Sequence, residues 1–390
     1  MSDHRLLIAA EIFPPAIGGP ATYAATLARE LPALGWEVTV VCYADQVAGE
    51  YPDPVIAVPR RGGPLARYCR YFFTIWKEAK HFRAVYAQGT VSSGLPALVV
   101  TKLRRKKLVV KVTGDYAWEQ AFRAGATGAF IEEFQRQSVR GKYALLRFIE
   151  RLVCRHADLV ITPSVFLKTI VRGWGVPDER IAVVYNAPSF PIVAGDKDQL
   201  RAQFNIAAND TLVVSVGRPV PWKGFGALGR AVAELLIAGR NIRLVCIGIT
   251  DEELRAMMAD ADAPDLALTE RRIVGLGVTN SSRVFDWLRA ADAFVLNTAY
   301  EGLSHIILEA MYAGVPVITT TVGGNRELIR DGETGVLIPY NDVGKIKQAI
   351  AALAQDRRAY ASLAQRAQEE LKKFSLPAML EATVVQLERL

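Results

Sequence analysis

Two successive doubly wound α/β domains are the fold class this sequence predicts, on three observations. Short apolar runs of strand length alternate with helix-length amphipathic segments up to residue 185, and the same alternation restarts at residue 212. Between the two, residues 187–198 (APSFPIVAGDKD) carry two prolines, a glycine and no periodicity, as a linker would. The chain of 390 residues also exceeds one ordinary core, so two domains of somewhat under about 200 residues are expected.

In the first half the strand-like runs fall at 6–10, 38–43, 55–58, 84–88, 108–113, 159–162 and 181–185. Helical segments between them fall at 21–34, 65–80, 95–103, 130–156 and 164–173. The second half places strands at 212–216, 243–248, 272–275, 293–297, 315–319 and 335–338. Its helices are expected at 224–238, 252–259, 283–290, from Ser304 to a stop at Gly314, and at 342–354, 357–374 and 378–390. Strand-helix alternation implies parallel sheets with crossover helices, whose ligands sit at the carboxyl ends of the strands. The expected site is a cleft between the domains.

Composition narrows the class of protein. A hydrophobic content of 51% with 22% charged residues is that of a globular enzyme rather than a disordered chain. Lys plus Arg exceed Asp plus Glu by 47 to 40, a net charge of +7, which favours anionic partners. Cys42, Cys69, Cys154 and Cys246 are scattered, without a Cys-x-x-Cys pair, and read as buried small hydrophobes rather than metal ligands or disulfides. The run at 6–10 is followed at once by Glu11 and a Pro/Gly turn, so it does not read as a signal peptide. No apolar run approaches the roughly 20 residues of a membrane-spanning helix. A reduced, cytoplasmic setting is expected, with peripheral attachment to the inner face of a membrane left open.

Three stretches at strand ends carry candidate chemistry. Gly18 and Gly19, between the first strand and the first helix, would let backbone approach a ligand, or simply form a tight turn. The loop is not Gly-x-Gly-x-x-Gly, and no Walker A sequence occurs, so dinucleotide and P-loop readings lose ground. In the second half, GRPVPWKGF sets Arg218 and Lys223 beside a stiff Pro-x-Pro segment and a helix start, suited to a phosphate, with solvated surface cations as the alternative. The third stretch, 293–330, has Glu301 in a small-residue turn and Glu309 inside an apolar helix. Burying a carboxylate there is costly without partners. His305 stands four residues before Glu309 and shares its helix face. Glu309 either pairs with an unseen cation or amide, or accepts from two adjacent hydroxyls such as a ribose diol.

The segment EGLSHIILEAMYAGVPVITTTVGGNRELIRDGETGVLIP, with seven residues between Glu301 and Glu309, resembles the signature of the family-4 retaining glycosyltransferases. GRPVPWKGF, FPPAIGGPATY, ITPSVFLKTIV and VVYNAP also stand in family-like places, so the resemblance spans nearly the whole chain and is strongest in its second half. It implies the GT-B architecture: an acceptor-binding Rossmann-like domain over 1–190, a nucleotide-sugar donor domain over 191–374, and a helix over 375–390 crossing back to the first domain. Carried over by position, Arg218 and Lys223 would bind the donor diphosphate and Glu309 the ribose. Glu301, Gly302, Leu303 and Ser304 would line the donor sugar, and Gly18 and Gly19 would approach the diphosphate from the other domain. Many relatives carry a His after the fifth strand, where this chain reads KVTGDYAWE; Asp115 is expected there as a sugar- or acceptor-orienting group.

The implied reaction is retaining transfer to a hydroxyl, with Asp115, Arg218, Lys223 and Glu301 as the catalytic set. The leaving phosphate oxygen would take the acceptor's proton on the same face, so no protein nucleophile is required. No Asp-x-Asp motif appears in the relevant loops, and the two cations would replace a divalent ion; no metal or other cofactor is expected. Uridine, guanosine and adenosine diphosphates all stay open, as do glycan, lipid-linked and small-molecule acceptors. A nucleotide-sugar epimerase or phosphorylase on the same scaffold and a non-catalytic sugar-binding protein are the competing readings. No pyridoxal-phosphate lysine context is present to favour a phosphorylase.

Residues 60–80 interleave Arg and Lys with aromatics, reinforced by 102–107 (KLRRKK). Such a segment suits an anionic bilayer or a lipid-diphosphate acceptor, with an amphipathic core helix as the alternative. Nucleic acid is not expected, because no recognition module accompanies the charge.

Overall fold

The computed structural model describes residues 4–16, 18–188, 190, 196–264 and 271–390. The chain divides into two compact units, Met1–Ala187 with Leu376–Leu390, and Pro188–Ser375.

The first unit is built on seven parallel strands: β1 (Arg5–Ala10), β2 (Glu37–Tyr43), β3 (Val55–Val58), β4 (Ala84–Ala87), β5 (Lys107–Lys111), β6 (Leu159–Thr162) and β7 (Ile181–Val183). Their order is β3-β2-β1-β4-β5-β6-β7. Both faces are buried, which is why the strands read as continuous apolar runs rather than alternating ones. Leu7, Ala9, Val41 and Val110 face the layer of helices Gly63–Glu78, Gly94–Arg104, Gly141–His156 and Val165–Gly173. Leu6, Ile8, Cys42 and Val109 face helix Gly19–Glu30 and the C-terminal helix Leu376–Glu388, through Tyr23, Leu27, Met379 and Leu387.

The second unit has six parallel strands: β8 (Thr211–Val216), β9 (Ile242–Ile247), β10 (Ile273–Gly275), β11 (Ala293–Leu296), β12 (Val317–Thr320) and β13 (Val336–Ile338). Their order is β10-β9-β8-β11-β12-β13. Val213, Leu244, Val295 and Ile318 pack on Leu228 and Val232 of helix Phe225–Ile237 and on Ile346 and Ile350 of helix Val343–Gln355. Strand order reverses between β8 and β11, and such a switch point opens a crevice beyond the strand ends. The loops after β8 and β11 carry Arg218, Lys223 and Glu301.

All thirteen expected strands are present, and the differences lie between them. The segment 130–156 is two helices, Ile131–Phe134 and Gly141–His156, because Gly141 takes a left-handed φ of 58° and restarts the chain. Helix Tyr116–Arg123 occupies a stretch without an expected element. Helix Lys197–Gln203 begins inside the expected linker, held by an Asp196–Gln199 capping box; residues 189 and 191–195 of that linker lie outside the described residues. Cys42, Cys154 and Cys246 are buried free thiols, but Cys69 is exposed, on the solvent side of helix Gly63–Glu78, and not the buried hydrophobe expected. Among the described residues no helix is long and apolar enough to cross a membrane.

Candidate active site

In the second unit, the loop after β8 folds back on itself. Val220 N–H donates to the Arg218 carbonyl at 2.8 Å, and Lys223 N–H to the Val220 carbonyl at 2.9 Å. The 3-10 turn Pro221–Lys223 then feeds Gly224, whose φ of +48° starts helix Phe225–Ile237. This directs the Lys223 ammonium onto the Glu301 carboxylate as an ion pair, with the two side chains only 13% and 15% exposed. Arg218 is exposed, and its guanidinium has no hydrogen bond or ion pair among the described residues.

The loop after β11 is shaped by a glycine pair from the next strand end. Gly324 N–H donates to the Glu301 carbonyl at 2.9 Å. A Cβ on Gly323 would come within 2.3 Å of the Glu301 carbonyl oxygen, and one on Gly324 within 2.3 Å of the Gly302 oxygen, so only glycine permits this approach. Gly302, Leu303 and Ser304 are buried at the start of helix His305–Tyr312. Ser304 occupies the cap position without capping: its Oγ is buried and unpartnered among the described residues. One turn on, burial pushes the Glu309 carboxyl up to about 7, and no side chain or amide offsets it. The Ser304 hydroxyl is thus buried without a partner at the helix start, and the half-buried Glu309 carboxyl lies mid-helix.

The first unit holds the other expected residues. Gly18 has φ +153°, and a Cβ there would press on Ile12 at 3.3 Å; Gly19 opens helix Gly19–Glu30. Asp115 is 1% exposed. Its Oδ1 accepts from the Trp118 N–H at 2.7 Å, capping helix Tyr116–Arg123, and its Oδ2 accepts from Gln135 Nε2 at 2.7 Å. Burial raises its carboxyl above the ordinary range. Both oxygens are thus engaged within the unit, and one of them caps a helix. Glu150 completes that arrangement, accepting from Thr90 Oγ1 (3.1 Å), Tyr116 N–H (2.8 Å) and Ala117 N–H (3.0 Å). Burial, then the Asp115 charge, holds it well above the usual carboxylate range.

Two acids were given no role in the sequence reading, Glu150 and Glu11. Glu150 stands beside Arg151 and three residues after Arg147, so in the sequence it reads as an ordinary surface charge. Glu11, at the end of β1, accepts from the Ser92 and Ser93 N–H groups at 3.2 and 3.4 Å, and burial raises its carboxyl. Among the described residues no group of three or more His, Cys, Asp and Glu could hold a metal ion.

The description "Glycosyl transferase 4-like domain" matches residues 18–187, and "Glycosyl transferases group 1" matches 196–370. The lipopolysaccharide core biosynthesis glycosyltransferase LpsE of Rhizobium meliloti is 31% identical over 232 residues, 58% of this chain and 63% of that protein. The D-inositol 3-phosphate glycosyltransferase of Nocardia farcinica is 30% identical over 234 residues, 58% of this chain and 51% of that protein. The chain therefore spans between half and two thirds of the length of these relatives. Among solved structures, HepE of Anabaena, in complex with UDP and glucose, superposes with a TM-score of 0.78 at 19% identity, covering 99% of this chain and all of that one. Sucrose-phosphate synthase of Thermosynechococcus elongatus gives 0.81 at 20% identity, covering 99% and 98%. With two Rossmann-like parallel sheets, each half matched by a glycosyltransferase description, the chain belongs to the family-4-like, group 1 glycosyltransferases of GT-B fold.

Proposed function

We propose that this protein is a retaining glycosyltransferase that moves a sugar from a nucleotide-diphosphate sugar to a hydroxyl of a glycan or lipid-linked acceptor. The observation that carries the reading is the pairing of opposites at the ends of β8 and β11. Cations at Arg218 and Lys223 stand with an unpartnered Ser304 hydroxyl and an unpartnered Glu309 carboxyl at the switch point of one sheet. A nucleotide-sugar carries what each needs: a diphosphate for the cations and helix N–H groups, and a diol for the carboxylate. UDP is the favoured nucleotide, since HepE of similar fold is solved with UDP-glucose.

During transfer, negative charge develops on the diphosphate oxygen that leaves. Lys223 and Arg218 are placed to stabilise it, and preorganised charge of this kind commonly contributes 10²–10³ in rate. Glu301 holds Lys223 in place until the diphosphate arrives and then lies beside the donor sugar. With retention, the departing oxygen accepts the acceptor's proton on the same face. Within the first unit, Asp115 acts through the helix it caps. No divalent ion is assigned, and turnover is expected to persist in excess chelator. The epimerase reading is weighed by product analysis: a free epimerised nucleotide-sugar would replace the transfer proposal. The decisive variant is Glu309→Ala, expected to lose tenfold or more in nucleotide affinity by titration calorimetry; unchanged affinity and turnover would remove the assignment.

A bilayer-bound acceptor is favoured by one surface of the first unit. Leu65, Phe73, Val99 and Leu103 are 79%, 63%, 41% and 63% exposed on the contacting helices Gly63–Glu78 and Gly94–Arg104. Basic side chains surround them, Arg104 stacking over Trp76 at 4.1 Å and Lys106 reaching the Lys80 carbonyl. Apolar groups ringed by cations suit an anionic bilayer. Co-flotation with phosphatidylglycerol vesicles but not phosphatidylcholine ones is expected, and equal behaviour on both would remove the membrane assignment.

A further inference from the structure

The loop that bears Lys223 is not held by its own turn alone. It is fastened by the ends of two other strands. Ala299 N–H and Thr298 Oγ1 donate to the Trp222 carbonyl at 2.8 and 3.2 Å, and Tyr340 Oη donates to the Pro221 carbonyl at 3.2 Å. At the centre stands Asn297, 1% exposed. Its Nδ2 donates to the Gly224 carbonyl and to Asn341 Oδ1, both at 2.8 Å, while its Oδ1 accepts from the Asn341 N–H at 3.0 Å. Both donors and the acceptor of one amide are used across three segments far apart in sequence.

The backbone around this amide is adapted to it. Gly224 and Asn341 both have left-handed φ, +48° and +56°. A Cβ on Gly224 would lie 2.3 Å from Asn297 Nδ2 and 2.6 Å from Asn341 Oδ1, so the amide occupies the space a side chain would take. After Gly, Asn is among the residues that most readily take this left-handed conformation, which suits it to position 341.

We infer that Asn297 is a positioning residue for donor binding: with Asn341 it locks Gly224, and through Gly224 it fixes where Lys223 presents its charge. The inference rests on the donor-site reading. Asn297 is one residue beyond β11, and Lys223 is bonded to Gly224, so a shift of about 1 Å in the locked carbonyl moves the backbone from which the lysine side chain extends. Misplacement on that scale is enough to cost about a hundredfold in a reacting complex. Thr298 and Tyr340 restrain the preceding residues, so removing Asn297 alone should loosen the Lys223 end of the loop and leave its Pro221 end in place.

The test is a double-mutant cycle on the full chain, read by calorimetric affinity for UDP, GDP and ADP and for the matching monophosphates. Lys223→Ala and Asn297→Ala should each weaken the bound diphosphate about tenfold and the monophosphate less than twofold. Together they should weaken it little more than Lys223→Ala alone, because Asn297 would act through an ammonium already gone. Asn341→Gly, which keeps the left-handed backbone and removes only the side-chain lock, should reproduce a smaller part of the loss in a protein whose melting temperature is close to wild type. It guards against misfolding of the buried variant. Full additivity of Asn297→Ala on Lys223→Ala, or equal loss on mono- and diphosphates, would overturn the positioning role while leaving the donor site standing. No diphosphate binding by the wild type, or none lost in Lys223→Ala, would overturn the donor reading and this inference with it.

Discussion

Two acids flanking the same strand of the second unit have opposite fates. Asp292, just before β11, receives Lys197 Nζ at 2.8 Å, Arg201 Nη1 at 2.9 Å and the Leu212 N–H at 2.8 Å. Burial alone would raise its carboxyl, but Lys197, that backbone bond and Arg201 together hold it below the ordinary range. Arg201 also donates from Nη1 to the Ala290 carbonyl and from Nη2 to the Ala207 and Asp210 carbonyls. A cavity of about 460 Å³ opens over this cluster, where Lys197 and Arg201 are already paired with Asp292. Glu309, on the helix after β11, has burial without partners and is pushed up to about 7. Paired charge stands at one end of the strand, and a carboxyl raised by burial alone stands beyond the other.

The largest effect expected from this contrast is on stability. Asp292→Asn leaves Arg201 buried without its counter-charge, which typically costs about 3–5 kcal/mol. Its folded carboxyl lies below its ordinary value, so the contribution is present at neutral pH and fades only as pH falls through the folded value. Denaturant unfolding at pH 7 and pH 3 should show the deficit shrinking in acid; equal loss at both would mean the cluster is not acting through charge.

Glu309 should behave in the opposite sense. A carboxyl raised from 4.5 to about 7 favours the folded state while protonated, and its ionisation costs up to about 3 kcal/mol as pH rises from 4.5 to 7. Glu309→Gln is therefore expected to match wild type near pH 4.5 and to exceed it above pH 7, while binding nucleotide more weakly. A variant less stable than wild type at pH 8 would show that the carboxylate has a partner after all. The smallest effect belongs to Lys197→Ala. Lys197 is 46% exposed at its side chain and solvent screens its pair with Asp292, so no more than about 1 kcal/mol should be lost. A loss comparable to that of Asp292→Asn would place the lysine, rather than Arg201, at the heart of the cluster.

What could be read from the sequence follows the same division. Strands were legible because both faces of each sheet are covered, turning them into apolar runs with abrupt ends. Glu309 was legible because a lone acid among Ile306, Ile307, Leu308 and Ala310 contradicts its surroundings. Helix Tyr116–Arg123 was not, since its stabilisation comes from Asp115 and from Glu150, thirty-five residues beyond Asp115. Helix Lys197–Gln203 did carry a local signal, the Asp196-x-x-Gln199 box, hidden by the prolines before it. The Asn297–Asn341 lock joins residues 44 apart and has no periodicity to betray it. Asp115 drew notice for its place after β5, which also makes it a helix cap, and position alone does not separate those roles.

The helix Leu376–Glu388 gives the molecule an order of manufacture. Met379, Leu380 and Leu387 close the core of the first unit, but the ribosome delivers them after all 188 residues of Pro188–Ser375. At about 5–20 residues per second, the unit begun first waits roughly 10–40 s with one apolar face of its sheet covered only in part, by helix Gly19–Glu30, while the unit begun second can be finished. In the nascent chain, then, the core of the earlier unit is the last to be completed.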